Sequence, residues 1–154
     1  MGLEQVLAEL ESRIGSEIHL SDWLPVTQQR VDAFADATDD HQWIHVDPER
    51  AAAESPYGGP IAHGYLTLSL YPMLRGLVAA TPPFPGVRNV INYGANKIRF
   101  PSAVPVGSRI RLRATLVAVE SLAGGLQLTE SAAFEVEGAS KPACVAEVLM
   151  RLYF

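Results

Sequence analysis

Apolar residues Leu3, Val6, Leu7, Leu10 and Ile14 recur at helical spacing, with Glu4, Glu9, Glu11 and Arg13 between them. The chain therefore opens with an amphipathic helix over residues 1–15 that stops at Gly15. Residues 17–24 alternate enough for a first strand, and Pro25 follows. Thr27 is placed to cap a helix whose apolar face is Val31, Phe34 and Ala35 and which runs to about Thr38. Its acids, Asp32 and Asp36, then face water. Residues 39–47 are too polar and irregular for a core element. Asp47-Pro48-Glu49 reads as an aspartate cap followed by proline at the first helical position, starting a short helix to about Ala53.

A loop rich in glycine and proline, residues 55–60, leads into the most apolar stretch of the chain. Residues 61–80 carry Leu66, Leu68, Leu70, Met73, Leu74, Leu77 and Val78, so this helix is apolar nearly all round and must be wrapped by other structure. Pro72 lies inside it and should kink or split it. Beyond residues 81–86 the period changes to two. Strands are expected over 90–100, broken at Gly94, over 109–119, from 126 to about 136 after a Gly124-Gly125 turn, and over 142–154. Helices first and consecutive antiparallel strands afterwards make an α+β domain, with the sheet curled around the buried helix. No repeat, low-complexity tract or linker divides residues 1–154, so one domain is expected.

Composition adds exclusions. The chain of 154 residues is 48% hydrophobic and 19% charged, an ordinary globular balance. A net charge of -5 argues against a nucleic-acid partner, which needs a basic face. The single cysteine, Cys144, cannot form an internal disulfide and sits in an apolar alternating run, as a buried structural thiol would. The N-terminus lacks a basic region followed by an apolar run, so no signal peptide is read and a cytoplasmic setting is expected. Residues 61–80 approach membrane-span length, but His63, Arg75, two glycines and Pro72 mark a core helix. No membrane partner is expected.

Candidate chemistry concentrates in Asp40-His41-Gln42-Trp43-Ile44-His45 and in Gly58-Gly59-Pro60-Ile61-Ala62-His63-Gly64. A carboxylate and an imidazole five positions apart can share a water, and a helix N-terminus offers free N–H groups to a developing oxyanion. On spacing alone, Asp40 as a turn cap and His45 as a surface residue is the favoured reading, and the helix N-terminus at Gly64 is what shifts the weight toward chemistry. His41 and His45, with Asp40, Asp47 and His63, also suggest a metal site. However, Gln42 stands where the zinc-protease pattern has its glutamate, so no metal is expected. Ser69 has no nucleophile elbow around it and reads as a core serine bonded into its own helix. His63 reads as a satisfied histidine at the loop–helix junction. Asn92, Asn96 and Lys97 form either a polar pocket wall or an outward face. Arg88, Lys97, Arg99 and Arg109 could meet phosphates but read first as surface charges.

These segments resemble the MaoC-like, or (R)-specific enoyl-CoA hydratase, family. Asp40, Ile44 and His45 match the first part of its signature, and Ala62-His63-Gly64 the entry to the central helix. Residues 93–101 and Pro105-Val106-Gly107-Ser108 also look like the family, and the likeness covers about residues 20–154. Asp39 replaces a glycine, and Gln42-Trp43 replace an Asn-Pro pair, changes that resemble the nodulation protein N-like branch. A serine found further along the helix in some members falls at Pro72 here. The resemblance implies a hot-dog fold, a long central helix wrapped by a curved antiparallel sheet, in a homodimer joined edge to edge. It also implies reversible hydration of trans-2-enoyl thioesters by Asp40 and His45, without a cofactor. Gly64 would serve as oxyanion donor, with His63, Tyr65 and Asn96 at the substrate. The substrate would be an acyl-CoA or an acyl carrier protein thioester. A hot-dog thioesterase, or a non-catalytic acyl-thioester-binding module, is the alternative. Many such thioesterases carry an acid on the central helix, and residues 61–80 contain none.

Overall fold

The computed structural model describes residues 2–81 and 83–154; Met1, in the N-terminal reading, and Pro82, in the proline-rich junction, lie outside them. Helix α1 (Leu3–Glu11) buries Val6 and Leu10 and ends three residues before the expected Ile14, in a run of turns that closes at Gly15. The expected first strand is two pieces, β1 (Glu17–Leu20) and β2 (Leu24–Pro25), both antiparallel to the same neighbour. Helix α2 (Gln28–Thr38) is capped by Thr27, whose hydroxyl accepts from the Arg30 N–H at 3.2 Å. It ends at Asp39 in the left-handed region, φ 58°. Residues 39–47 are not wholly irregular: Trp43–Val46 form a one-turn helix, α3, which buries the His45 side chain. Helix α4 (Pro48–Glu54) begins as read, with the Asp47 carboxylate accepting from the Arg50 N–H at 3.1 Å.

The apolar stretch departs most from the pattern. It is not one helix to Ala80 but α5 (Gly64–Ser69) and α6 (Tyr71–Leu74), followed by turns. Pro72 has no N–H to continue the ladder, and Gly76 at φ 78° takes the chain out of helix. Nor is the segment wrapped on every side. Leu66, Leu70, Tyr71 and Leu74 are buried, whereas Tyr65 is 68% exposed and Met73 and Val78 also reach solvent.

The strands β3 (Asn89–Arg99), β4 (Arg109–Leu122), β5 (Gly125–Val136) and β6 (Cys144–Tyr153) build one antiparallel sheet in the order β1-β4-β5-β6-β3, with β2 also on β4. Period-two burial is clear: Ile110, Leu112, Ala114 and Leu116 of β4, alternate residues of β5, and Cys144, Ala146, Val148, Met150 and Leu152 of β6 face the core. These side chains and the inward side of α5 and α6 form one apolar cluster. At the β4–β5 turn Gly124 adopts φ 75°, and a Cβ on Gly125 would stand 2.2 Å from the Leu152 carbonyl oxygen. Cys144 is buried, as read, and burial pushes its thiol up to about 11.

One inward position of β5 breaks the apolar alternation. Glu130 is fully buried, and its carboxylate takes two N–H groups of Arg75 (2.9 Å to each oxygen) and the Tyr71 hydroxyl (2.6 Å). Burial, and then the Glu130 charge, push the Tyr71 hydroxyl far above its ordinary range. Strand β3, by contrast, is an edge strand exposed along most of its length, with register shifts between Asn92 and Gly94 and between Asn96 and Arg99.

Candidate active site

Two main-chain tethers bring the two sequence segments together. The Ile61 N–H donates to the Ile44 carbonyl at 3.0 Å, and the His45 ring donates from Nδ1 to the Ile61 carbonyl at 2.6 Å. A third bond fixes α3 from behind, the Gln28 amide donating to the His45 carbonyl at 2.7 Å. His45 is thus 7% exposed, not a surface residue. With Nδ1 committed as a donor to a carbonyl, the neutral ring keeps its lone pair on Nε2, the form a general base needs. Burial pushes the His45 imidazole below its ordinary value. The bond to Ile61 pulls upward, the neighbouring His63 pulls down, and the Asp40 charge pulls upward.

Asp40 follows the left-handed end of α2, with its side chain 52% exposed. One carboxylate oxygen lies 3.5 Å from the Gln42 N–H, too long to hold the group firmly as a turn cap. His63, 3% exposed, donates from Nε2 to the Asp40 main-chain carbonyl at 2.9 Å. Its ring stacks on His45, with centroids 3.8 Å apart and planes 24° apart, and Phe34 packs against it at 4.9 Å. Asp40, His45 and His63 each offer a ligand atom within 4.8 Å of the others. A gap of that size is what one water spans with two hydrogen bonds of about 2.8 Å.

His45 and Gly64 line a cavity of about 260 Å³ together with Thr67, Phe100, Val104 and Ala143. The Phe100 ring lies so close over Gly64 that a Cβ there would meet it at 2.9–3.1 Å. As the first residue of α5, Gly64 has an N–H with no partner inside the helix. Tyr65 faces Phe100 edge-on at 5.8 Å and lines a neighbouring cavity of about 320 Å³ with Leu68, Ser69, Tyr71 and Asn92.

Of the six expected site residues, five therefore gather around α5 and α3. Asn96 does not: it stands exposed on β3 and lines neither cavity. The polar interruption of β3 is mainly an outward face, although Asn92 reaches the Tyr65 cavity. His63 is not a fully satisfied junction residue either, because its Nδ1 is buried with no partner. Enclosed between Phe34 and His45, it touches both His45 and Asp40 and is itself almost wholly buried. Ser69 donates to the Tyr65 carbonyl within its own helix, as read. The Ile61 carbonyl, Gln28 and Phe100 escape sequence reasoning, since main-chain acceptors and ring overlap leave no spacing signature.

A metal at this cluster fits poorly. His41 turns away to Asp36 at 2.9 Å, and Asp47 is spent on capping α4. Two stacked rings whose planes differ by 24° do not direct their in-plane lone pairs onto one ion at about 2.0–2.1 Å. Among the phosphate candidates, Arg109 pairs with Glu137 and Lys97 lies 3.9 Å from Glu147, while Arg88 and Arg99 are surface charges.

Comparison with known proteins adds an independent line. The MaoC like domain family matches residues 9–133. The chain is 53% identical over 146 residues to 3-hydroxyacyl-thioester dehydratase Z of Mycobacterium tuberculosis, covering 94% of each. It is 42% identical over 152 residues to nodulation protein N of Rhizobium leguminosarum bv. viciae, covering 98% of this chain and 93% of the other. Among solved structures, the (R)-hydratase from A. caviae involved in PHA biosynthesis superposes with a TM-score of 0.69 at 25% identity, over 89% of this chain and 94% of that one. The monoamine oxidase regulatory protein from Archaeoglobus gives a TM-score of 0.75 at 23% identity, over 94% and 93% of the two chains, and shows the fold.

Proposed function

This chain belongs to the MaoC-like domain family, and on that premise we propose that it is an (R)-specific hydratase/dehydratase acting on trans-2-enoyl and (3R)-3-hydroxyacyl thioesters. The observation that carries the reading is the meeting of Asp40 with His45, whose tautomer is fixed by Ile61, beside the start of α5. Water sits between the Asp40 carboxylate and His45 Nε2. His45 takes one proton as the water oxygen bonds to C3, and Asp40 accepts from the remaining O–H and orients it. The C2–C3 electron pair shifts toward the thioester, whose oxygen takes the charge and a hydrogen bond from the Gly64 N–H. The proton returns to C2 on the same face, and the product is neutral overall. Acid–base help of this type contributes roughly 10²–10⁴-fold, and one oxyanion donor roughly 10²–10³-fold. No step calls for a metal or redox cofactor.

Tyr65 and its cavity are placed to take the acyl chain, within acyl-thioester and fatty acid metabolism. Coenzyme A and acyl carrier protein present the same thioester and are both allowed. A homodimer joined through β3 suits the exposed edge, which otherwise invites pairing. The buried thiol of Cys144 suits a reducing, cytoplasmic setting. Among the described residues no helix is long and apolar enough to cross a membrane.

The thioesterase alternative is disfavoured because α5 and α6 carry no acid. The deciding assay follows crotonyl-CoA by enoyl absorbance and butanoyl-CoA by free-thiol release. Loss of absorbance without thiol release is the expected result. Thiol release from butanoyl-CoA would assign a thioesterase, and binding with neither change would assign a carrier of acyl thioesters.

A further inference from the structure

Behind the water-activating pair lies a second imidazole that the proposed reaction does not use. His63 Nε2 donates to the main-chain carbonyl of Asp40 at 2.9 Å, and the ring lies face to face with His45 at 3.8 Å. Phe34 closes the other side at 4.9 Å. The side chain of Asp40 is too far for a direct bond, 4.0 Å from Nε2. His63 therefore holds the backbone of one member of the pair and the ring plane of the other.

Its remaining nitrogen tells against a proton-transfer role. Nδ1 is buried without a partner, so a proton placed there would add a charged donor with no acceptor. The bond to a carbonyl oxygen requires that Nε2 carry the hydrogen. An unpaired buried nitrogen costs stability. A phenylalanine would fill the same slot between Phe34 and His45 without that cost. Histidine here supplies what phenylalanine cannot, the hydrogen bond to Asp40.

From this geometry we infer that His63 is a positioning residue: its hydrogen bond to the Asp40 carbonyl sets the distance between Asp40 and His45, and its stack on His45 is packing that a phenylalanine would also supply. The inference rests on the hydratase reading and assigns the residue a role within it. Asp40 has little else to hold it: its side chain is half exposed and its bond to Gln42 is long. A carboxylate that drifts by about 1 Å no longer grips the water in line with C3, and displacements of that size cost on the order of 10²-fold in rate. Substrate binding is untouched, because His63 is itself almost wholly buried.

Two substitutions separate the two contacts. His63→Phe keeps the stack and loses the hydrogen bond; His63→Gln keeps a donor near the Nε2 position and loses the stack. Both are compared with wild type on crotonyl-CoA by steady-state kinetics, with thermal unfolding as the check on folding. His63→Phe should lose at least about tenfold in kcat while KM stays within about threefold, and its melting temperature should not fall. His63→Gln should recover kcat to within about threefold of wild type. In wild type, ¹⁵N NMR should find the His63 ring with its hydrogen on Nε2. Unchanged kcat in His63→Phe, or a kcat in folded His63→Gln as low as in His63→Phe, would overturn the inference; if His63→Phe fails to fold, a tenfold loss in His63→Gln decides against it. An inactive wild type would overturn the hydratase reading itself, whereas an active wild type with an unaffected His63→Phe overturns only the role given to His63.

Discussion

A carboxylate that is half exposed and an imidazole that is almost completely buried make an unequal pair. Their difference decides how the site should respond to mutation and to pH. Asp40→Asn and His45→Gln should each lower kcat on crotonyl-CoA by at least roughly 10²-fold with the fold intact. If both hold one water, the double variant should be little worse than either single one; additive losses in steady-state kinetics would separate their roles. His45 must be neutral to accept a proton, and burial moves its titration below the ordinary imidazole range. The acid limb of kcat/KM should therefore fall through a midpoint below about 6.5, with activity held above it. A midpoint above that value would place the limiting proton elsewhere. At this scale the Asp40–His45 pairing was legible in the sequence as an acid and an imidazole in one short polar stretch, although the turn at residues 40–42 and the one-turn helix α3 that bring them together were not. The place of His63 was not legible, since its contacts are to a main-chain carbonyl and a ring face. Asn96 misled for the opposite reason: a polar residue in an apolar strand signals a pocket wall only when the strand is covered, and β3 is not.

The elements that carry the site are short, and they are held by specific bonds more than by helical propensity. Caps at Thr27 and Asp47 were readable, because a side-chain oxygen before a helix has a fixed local geometry. The extent of the central segment was not: apolar residues continue to Ala80, yet Pro72 and Gly76 end the helix six residues earlier, at Leu74. What fastens α6 to β5 is the buried pair of Arg75 and Glu130 with Tyr71, and although Glu130 interrupts the inward apolar row of β5, its partners lie 55 and 59 residues away in sequence and left no spacing to read. Removing one partner leaves the other buried and unpaired. Glu130→Ala should thus cost about 3–5 kcal/mol in urea unfolding. The combined change Arg75→Met with Glu130→Leu should cost much less, since both charges leave the core together. Equal losses in the two proteins would show that the pair contributes stability beyond the absence of an orphaned charge.

For the molecule as a whole, the α+β class and the antiparallel strands were legible from period-two stretches and short turns, whereas the placing of β1 on β4 and of β3 on β6 was not, because long connections leave no local pattern. Its unfinished side was legible only through the family resemblance. Strand β3 leaves an open edge, and Tyr65, Ile91, Tyr93 and Phe100 are exposed on or beside it. Charges on that edge should block pairing between copies. If the proposed homodimer pairs through β3, Ile91→Lys combined with Tyr93→Lys should give monomers in sedimentation velocity, and a dimer that persists in the variant would place the interface elsewhere. Since Phe100 covers Gly64 and touches Tyr65, activity should fall with dissociation.

The most direct test of the account is chiral analysis of the product formed from crotonyl-CoA and water by the wild type, run beside His45→Gln. The wild type should yield the (3R)-3-hydroxy thioester without thiol release, and His45→Gln should form it at least roughly 10²-fold more slowly. A (3S) product, or equal rates in the two proteins, would contradict the assignment of Asp40 and His45 as the pair that activates water.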